Sequence, residues 1–210
     1  MTPLADAVRA VPVIAILRSS SAERFADVAD ALYDAGLRAV EFSLTTPGAL
    51  RALRECAGRH GELALGAGTV LDPSQAREAV SAGAQYLVAP AVVVETIREA
   101  ARLGVPMLPG ALTPTEILTA WRSGAAMVKV FPATGGAAYV KAVRDPLPDI
   151  PLVPTGGLSL SDAPECMGAG ATALGLGGAL LGDVLDSGDL ESLHARAVTL
   201  VDSLRPWSAG

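Results

Sequence analysis

The sequence predicts an α/β protein, a (β/α)8 barrel formed by a single domain over residues 1–210. Glycines recur along the chain at intervals of 25, 22, 21, 20 and 46 residues, and each precedes a short apolar segment. Amphipathic segments with helical spacing separate these apolar segments. Strands that are apolar throughout and alternate with helices are typical of a parallel sheet covered on both faces. Eight such units close into a barrel, and a doubly wound open sheet is the alternative.

The repeated glycines are expected to end helices, because a helix commonly ends on a left-handed residue that glycine adopts without steric cost. The interval of 46 corresponds to two units, and the boundary between them lies near residues 148–150. The glycines are Gly36, Gly61, Gly83, Gly104, Gly124 and Gly170.

Eight apolar segments are expected to form the strands. They are residues 11–17, 39–44, 63–70, 86–91, 106–112, 127–132, 151–157 and 171–177. The first helix that follows a strand is expected to bury Phe25, Val28, Ala29 and Leu32, which share one helical face. Segments 74–82, 95–103 and 115–122 have the same spacing. In a barrel the carboxyl ends of the strands build the active site, so we expect the chemistry at that end only.

The composition argues against several classes of protein. Half of the 210 residues are hydrophobic and 18% are charged, which is typical of a folded domain. The 16 basic and 22 acidic residues give a net charge of −6 without a basic cluster, so no nucleic-acid partner is expected. No segment has the composition of a membrane span, and the N-terminus lacks the basic start of a secretory signal. With two cysteines and no C-x-x-C spacing, we expect a soluble cytoplasmic protein.

One lysine lies within an apolar strand. Lys129 is one of only two lysines, and alternation along segment 127–131 turns it toward the barrel interior. Burial favours the neutral amine, which can attack a ketone and form a Schiff base. A structural ion pair with a buried carboxylate, or a cation that binds phosphate, would produce the same pattern.

Glu41 is the second charged residue expected inside the barrel. Alternation along segment 39–44 turns Glu41 and Ser43 inward, on a strand opposite that of Lys129. An interior carboxylate near a nucleophilic amine can carry protons during carbinolamine formation, dehydration and C–C cleavage. Glu41 could also balance the charge of Lys129, and the two roles are compatible.

Further candidates lie where strands end. The guanidinium of Arg18 could bind a carboxylate and Thr69 could add a hydroxyl contact. The alternatives are a surface position for Arg18 and a simple tight turn for Gly-Ala-Gly-Thr. Neither histidine ends a strand and no dinucleotide fingerprint is present, so we expect no metal and no other cofactor. Glycine-rich turns after the seventh and eighth strands are typical of phosphate sites in barrels, although the glycines could merely relieve crowding: Thr155, Gly156, Gly157, Gly177 and Gly178.

Five segments occur in a recognisable order. They are VPVIAILR (11–18), VEFSLTT (40–46), GAGTVL (66–71), VKVFPA (128–133) and PTGG (154–157). With these segments the chain resembles the bacterial 2-keto-3-deoxy-6-phosphogluconate (KDPG)/4-hydroxy-2-oxoglutarate (KHG) aldolases, which are class I aldolases on a (β/α)8 barrel.

The resemblance implies a role for each candidate. Lys129 would form the Schiff base and Glu41 would carry protons, while Arg18 and Thr69 would hold the pyruvyl carboxylate. The keto acid would pack against Phe131 and Pro90. The distal phosphate side would be lined by Thr155, Gly156, Gly157, Gly177 and Gly178.

The implied reaction is the reversible cleavage of KDPG to pyruvate and glyceraldehyde 3-phosphate. The resemblance also implies cleavage of KHG to pyruvate and glyoxylate. Members of the family are typically homotrimers. Two positions depart from well-known members: Thr45 replaces an arginine, and Ala179 replaces a serine near the phosphate. The galactonate-type epimer and a non-phosphorylated 2-keto acid are therefore alternative substrates.

Two other functions compete with the aldolase. A phosphate-binding barrel isomerase or decarboxylase would use Lys129 as an electrostatic clamp, but it usually needs strand-end acids or a metal, and strand-end acids are scarce here. A non-catalytic sugar-phosphate-binding protein would have no reason to keep Lys129 and Glu41 inside, where unpaired charges are costly.

Overall fold

The computed structural model describes residues 2–208, and within them nine strands form where eight were predicted. The predicted fifth strand is divided at Pro109, which has no N–H to donate to a neighbouring strand. The strands are Val13–Leu17 (β1), Ala39–Ser43 (β2), Ala64–Gly68 (β3), Tyr86–Val88 (β4), Met107–Leu108 (β5), Gly110–Ala111 (β6), Val128–Val130 (β7), Leu152–Pro154 (β8) and Leu174–Leu176 (β9).

Helices follow the strands, and the four helices whose faces or spans were predicted agree with the sequence pattern to within about one residue. The helix after β1 buries the expected face of Phe25, Val28, Ala29 and Leu32. The helices are Pro3–Ala10 (α1), Phe25–Asp34 (α2), Ala49–Cys56 (α3), Pro73–Ser81 (α4), Val94–Arg102 (α5), Pro114–Arg122 (α6), Gly136–Arg144 (α7), Ala163–Gly168 (α8), Gly178–Leu181 (α9), Val184–Ser187 (α10) and Leu190–Leu204 (α11).

All strand pairs are parallel, and the strands form two sheets. The larger has the order β5-β4-β3-β2-β1-β9 and the smaller has the order β6-β7-β8. A bridge between Thr155 and Gly175 connects β8 to β9. At the other end of the two sheets, the N–H of Ala126, just before β7, donates to the Met107 carbonyl of β5 at 2.9 Å. The structure therefore confirms an α/β fold with a curled parallel sheet.

The two faces of the curled sheet bury different residues. On the outer face, Val40 and Phe42 pack in the large cluster that includes the helices. On the inner face, Ile14, Tyr86 and Val153 belong to a separate small cluster. Helix α1 was not predicted; Leu4, Ala7 and Val8 on its buried side belong to the inner cluster. A doubly wound sheet would instead have a layer of helices on each face, whereas within residues 2–208 the inner cluster includes residues of one helix, α1.

The repeat of helix-ending glycines is confirmed with one correction. The expected left-handed backbone occurs at five of the six positions, but not at Gly61. Helix α3 ends at Cys56, so Gly58, with φ of 80°, is the left-handed residue after it. Within residues 2–208, no helix combines the length and hydropathy needed to cross a membrane. The five confirmed positions are Gly36, Gly83, Gly104, Gly124 and Gly170.

Candidate active site

Lys129 lies in the middle of β7 and points into the interior, as predicted. Lys129 is only 5% exposed, and its Nζ lies 5.1 Å from the centroid of the Phe131 ring. In β7 the neighbouring Val128 and Val130 pack outward in the large cluster. Among residues 2–208 Lys129 forms no ion pair with a carboxylate, so the structural ion pair considered above is wrong.

Glu41 lies on β2 and is 1% exposed. It is the only carboxylic acid among the buried side chains of the described chain, and its Oε1 has no hydrogen-bond partner there. A Cβ added to Gly68 on the neighbouring β3 would lie 1.8 Å from that oxygen. Glycine at position 68 therefore provides the space in which the Glu41 carboxylate lies.

Two connected spaces bring the candidates together at the carboxyl ends of the strands. Glu41, Lys129 and Thr155 line a small gap that is too narrow to hold a water molecule. An open cavity of about 170 Å³ shares Lys129 and Thr155 with it. Eight of the predicted site residues line the open cavity: Arg18, Lys129, Phe131, Thr155, Gly156, Gly157, Gly177 and Gly178.

Arg18 contacts a cluster of three hydroxyl groups through one of them. The Arg18 Nε–H donates to Ser43 Oγ at 3.3 Å, although the Arg18 residue as a whole is exposed. Ser43 Oγ also lies 2.9 Å from Thr45 Oγ1 and 3.0 Å from Thr69 Oγ1. Ser43 was not predicted as a site residue. The signal was its inward position two residues after Glu41, together with a polar side chain on an apolar strand.

Two predicted residues occupy the margin of this arrangement. Within the described chain, neither Thr69 nor Pro90 is part of the walls of the two spaces. Thr69 reaches the site through Ser43, and its backbone has φ of 62°, which is uncommon for a β-branched residue. The Pro90 carbonyl oxygen lies 2.3 Å from where a Cβ on Gly110 would be, so Pro90 packs against the divided fifth strand.

The glycines after β8 and the glycine within β9 have different roles. Gly156 and Gly157 have φ of 79° and 84°, values that side-chain-bearing residues rarely adopt. A Cβ on Gly175 would lie 2.2 Å from Thr155 Oγ1, so this glycine makes room for the threonine. Relief of crowding thus explains Gly175, whereas the paired glycines are required by the backbone of a turn that faces the cavity.

A larger cavity, of about 450 Å³, lies beside α1 and the amino end of β3. Its charged side chains pair with one another or with neighbours: Arg38 with Glu62 at 3.6 Å, and Asp6 with Arg9 at 4.0 Å. The buried, unpaired Lys129 and Glu41 lie elsewhere, so we place the candidate active site at the carboxyl ends of the strands. In residues 2–208 no three His, Cys, Asp or Glu side chains are grouped as metal ligands would be.

Comparison with known proteins identifies the family. The family model for KDPG and KHG aldolases matches residues 4–196. The chain belongs to the KDPG and KHG aldolase family. The expectation of an aldolase, and hence a lyase, is confirmed by this assignment.

Two relatives and one solved structure illustrate what the chain is similar to. The chain is 42% identical over 156 residues to the 2-dehydro-3-deoxy-phosphogluconate aldolase of Pseudomonas aeruginosa, covering 73% of this chain and 70% of the relative. It is 36% identical over 170 residues to the 2-dehydro-3-deoxy-6-phosphogalactonate aldolase of Escherichia coli, covering 80% and 83%. A crystal structure of KDPG aldolase from Legionella pneumophila, with pyruvate captured as a covalent carbinolamine, has a TM-score of 0.87, 25% identity, and coverage of 96% and 98%.

Proposed function

We propose that this protein is a class I aldolase that reversibly cleaves a 2-keto-3-deoxy-6-phospho-sugar acid, such as KDPG, to pyruvate and glyceraldehyde 3-phosphate. The observation that carries the proposal is a buried lysine without a carboxylate partner, which lines the same narrow gap as a buried carboxylate. The covalent pyruvate adduct of the Legionella relative supports the same chemistry. An isomerase or decarboxylase would not need a nucleophilic amine there.

The reaction assigns distinct steps to Lys129 and Glu41. The neutral amine of Lys129 attacks the C2 ketone and gives a carbinolamine, which loses water to form a protonated imine. The imine accepts the electron pair of the C3–C4 bond while a base removes the C4 hydroxyl proton, and the aldehyde leaves. Protonation of the resulting enamine at C3 and hydrolysis of the imine release pyruvate. Glu41, the buried acid that lines the same gap, carries these protons.

The carboxylate of the keto acid is proposed to bind at the hydroxyl cluster. Arg18 provides the positive charge, and Ser43 orients its guanidinium. Thr69 contributes through its contact with Ser43. Thr45 occupies the position of the family's second arginine and joins the same cluster, so carboxylate recognition depends on Arg18. Phe131 lines the open cavity and would contact the keto acid; Pro90 would support the site from outside its wall.

The far end of the cavity is proposed to bind the phosphate through backbone N–H groups of its glycine-rich turns, as is usual after the last two strands of a barrel. Ala179 lines the cavity but offers no hydroxyl. This favours a second candidate, in which the substrate is a non-phosphorylated 2-keto acid. Thr45, where well-known members have an arginine, leaves the galactonate-type epimer as a further alternative, and KHG remains a proposed second substrate of the main function. The proposed phosphate side consists of Thr155, Gly156, Gly157, Gly177 and Gly178.

We also propose that the two sheets form one closed (β/α)8 barrel in a single domain over residues 1–210. The Thr155–Gly175 bridge supports closure on one side. The hydrogen bond from Lys129 N–H to the Pro109 carbonyl, at 3.0 Å, supports it on the other. The family resemblance further supports a cytoplasmic homotrimer, for which light scattering should give three times the 21.2 kDa chain mass. A monomer in solution would contradict the trimer.

A pyruvate-release assay tests the function. The purified protein is given KDPG, its galactonate-type epimer, the non-phosphorylated analogue of KDPG, and KHG, and pyruvate is measured by a coupled reduction. We expect kcat/KM to be greatest for a phosphorylated substrate. Preference for the non-phosphorylated analogue would contradict the phosphate site, and release from none of the four would contradict the aldolase. Lys129→Met should be inactive, and the exposed Lys141→Met is the matched control.

A further inference from the structure

Three buried polar side-chain atoms of the described chain lack a hydrogen-bond partner; Thr96 Oγ1 lies on α5, and the other two lie on inner strands of the sheet. One is Glu41 Oε1 and the other is the hydroxyl of Tyr86, which is fully buried. A buried polar group without a partner is costly, and in a folded protein such a group calls for an explanation. The proposed reaction uses Glu41 but gives no role to Tyr86.

The strand register places these two residues at the same level of the barrel interior. Glu41 on β2 pairs with Gly66 on β3, and Gly66 pairs with Tyr86 on β4. A Cβ on Gly66 would lie 2.2 Å from both Cε2 and Cζ of Tyr86. The phenol end therefore extends across β3 toward β2, because glycine leaves that position empty. Neighbouring strands are about 5 Å apart, so a ring that reaches across β3 directs its hydroxyl toward β2, the strand of Glu41.

We propose that Tyr86 is a positioning residue for the aldolase reaction, whose hydroxyl donates a hydrogen bond to the carboxylate of Glu41 during the proton-transfer cycle. This inference rests on the proposed function. The terminal torsion of a glutamate is soft, so its carboxylate can rotate between the substrate on one side and Tyr86 on the other. The phenol then donates a hydrogen bond to the ionised Glu41 carboxylate whenever the substrate offers no donor to it.

Burial and the nearby Glu41 carboxylate raise the pKa of Tyr86 well above its ordinary value, so its hydroxyl stays protonated and remains a donor. Two charged groups lie on the elements around Glu41: Lys129, which lines the same narrow gap, and Arg18, which follows β1, the strand whose Ile16 pairs with Glu41. Gly66 and Gly68 on β3 contribute no side chain. Tyr86 is therefore the neutral donor on the inner side of the carboxylate.

The test removes only the hydroxyl. In Tyr86→Phe we expect kcat to fall about tenfold with little change in KM, because a hydrogen bond to a charged group is lost. The acid limb of the kcat/KM profile should move to higher pH by about one unit. Tyr33→Phe, at a half-buried tyrosine stacked on His60, is the matched control and should leave both quantities unchanged. In a Glu41→Gln background, Tyr86→Phe should cause no further loss.

Each contrary result is distinct. An active wild-type protein whose Tyr86→Phe variant keeps the original rate and pH profile overturns the inference. A gain in thermal stability in that same unchanged variant would show that the hydroxyl is simply unpartnered. An equal loss of rate in the Glu41→Gln background also overturns it, because Tyr86 would then act independently of Glu41. Absence of pyruvate release by the wild-type protein overturns the proposed function itself, together with this inference.

Discussion

Replacing Gly68 by alanine should disable the site without changing any of its functional groups. The added Cβ would lie 1.8 Å from Glu41 Oε1, 2.5 Å from its Cδ and 2.7 Å from its Cγ. The backbone of Gly68 does not have a positive φ, so alanine fits the strand itself. The carboxylate must then move by more than about 1 Å to reach a normal van der Waals separation.

The expected cost falls on the rate rather than on the fold. A displacement of about 1 Å in a catalytic group costs about 100-fold in rate. Crowding in a packed interior lowers the free energy of unfolding by about 1–3 kcal/mol. Because the flexible Glu41 side chain can rotate away, we expect Gly68→Ala to lie near the lower end of this range. For a chain of this size, about 1 kcal/mol lowers the Tm by about 2–4 °C.

Steady-state pyruvate release and thermal unfolding measure the two effects together. Gly61→Ala is the matched control, because a Cβ at Gly61 meets no atom within 4 Å and its φ is not positive. We expect that control to retain the wild-type rate and Tm. A Gly68→Ala variant with a rate within about twofold of the wild type would refute the assignment of proton transfer to Glu41 in this position.

Three further predictions concern the acid, the phosphate and the stability of the fold. Glu41→Gln should reduce kcat by about 100-fold or more with a smaller change in pyruvate binding; an unchanged rate removes its proton-transfer role. Ala179→Ser should raise kcat/KM for phosphorylated substrates only, and an equal gain on non-phosphorylated analogues would argue against a phosphate contact there. Arg102 and Arg77 lower the pKa of Glu99 from 4.5 to about 2. The stability that Glu99 contributes is therefore present above pH 4.5 and is lost as the pH falls through about 2. The Tm of Glu99→Gln should consequently decrease less than that of the wild type over this range, and parallel decreases would contradict the ion pair.

The sequence alone predicted the residues whose signal is local. Lys129 and Glu41 interrupt apolar strands, and the two-residue alternation of a strand is enough to turn them inward. Gly156 and Gly157 after β8 mark a turn whose left-handed backbone requires glycine. The order of strands and helices followed from the same local periodicity.

The remaining features depend on which residues become neighbours in the folded chain. The space for the Glu41 carboxylate is set by Gly68 on the next strand, and the space for Tyr86 by Gly66. Neither relation can be derived without the register between strands. The central position of Ser43 in the hydroxyl cluster likewise requires the ends of β1, β2 and β3 to meet. Helix α1 has a local signal, a threonine cap followed by proline, but its packing against the inner cluster is a tertiary contact.

Borohydride trapping with pyruvate tests the central claim most directly. Intact-mass and peptide mass spectrometry would follow the protein after reduction, with Lys129→Met as the control. The account predicts one reduced pyruvyl adduct per chain, confined to the peptide that contains Lys129, and none in the variant. A folded wild-type protein that forms no adduct, or forms it only at Lys141, would contradict Schiff-base catalysis by Lys129.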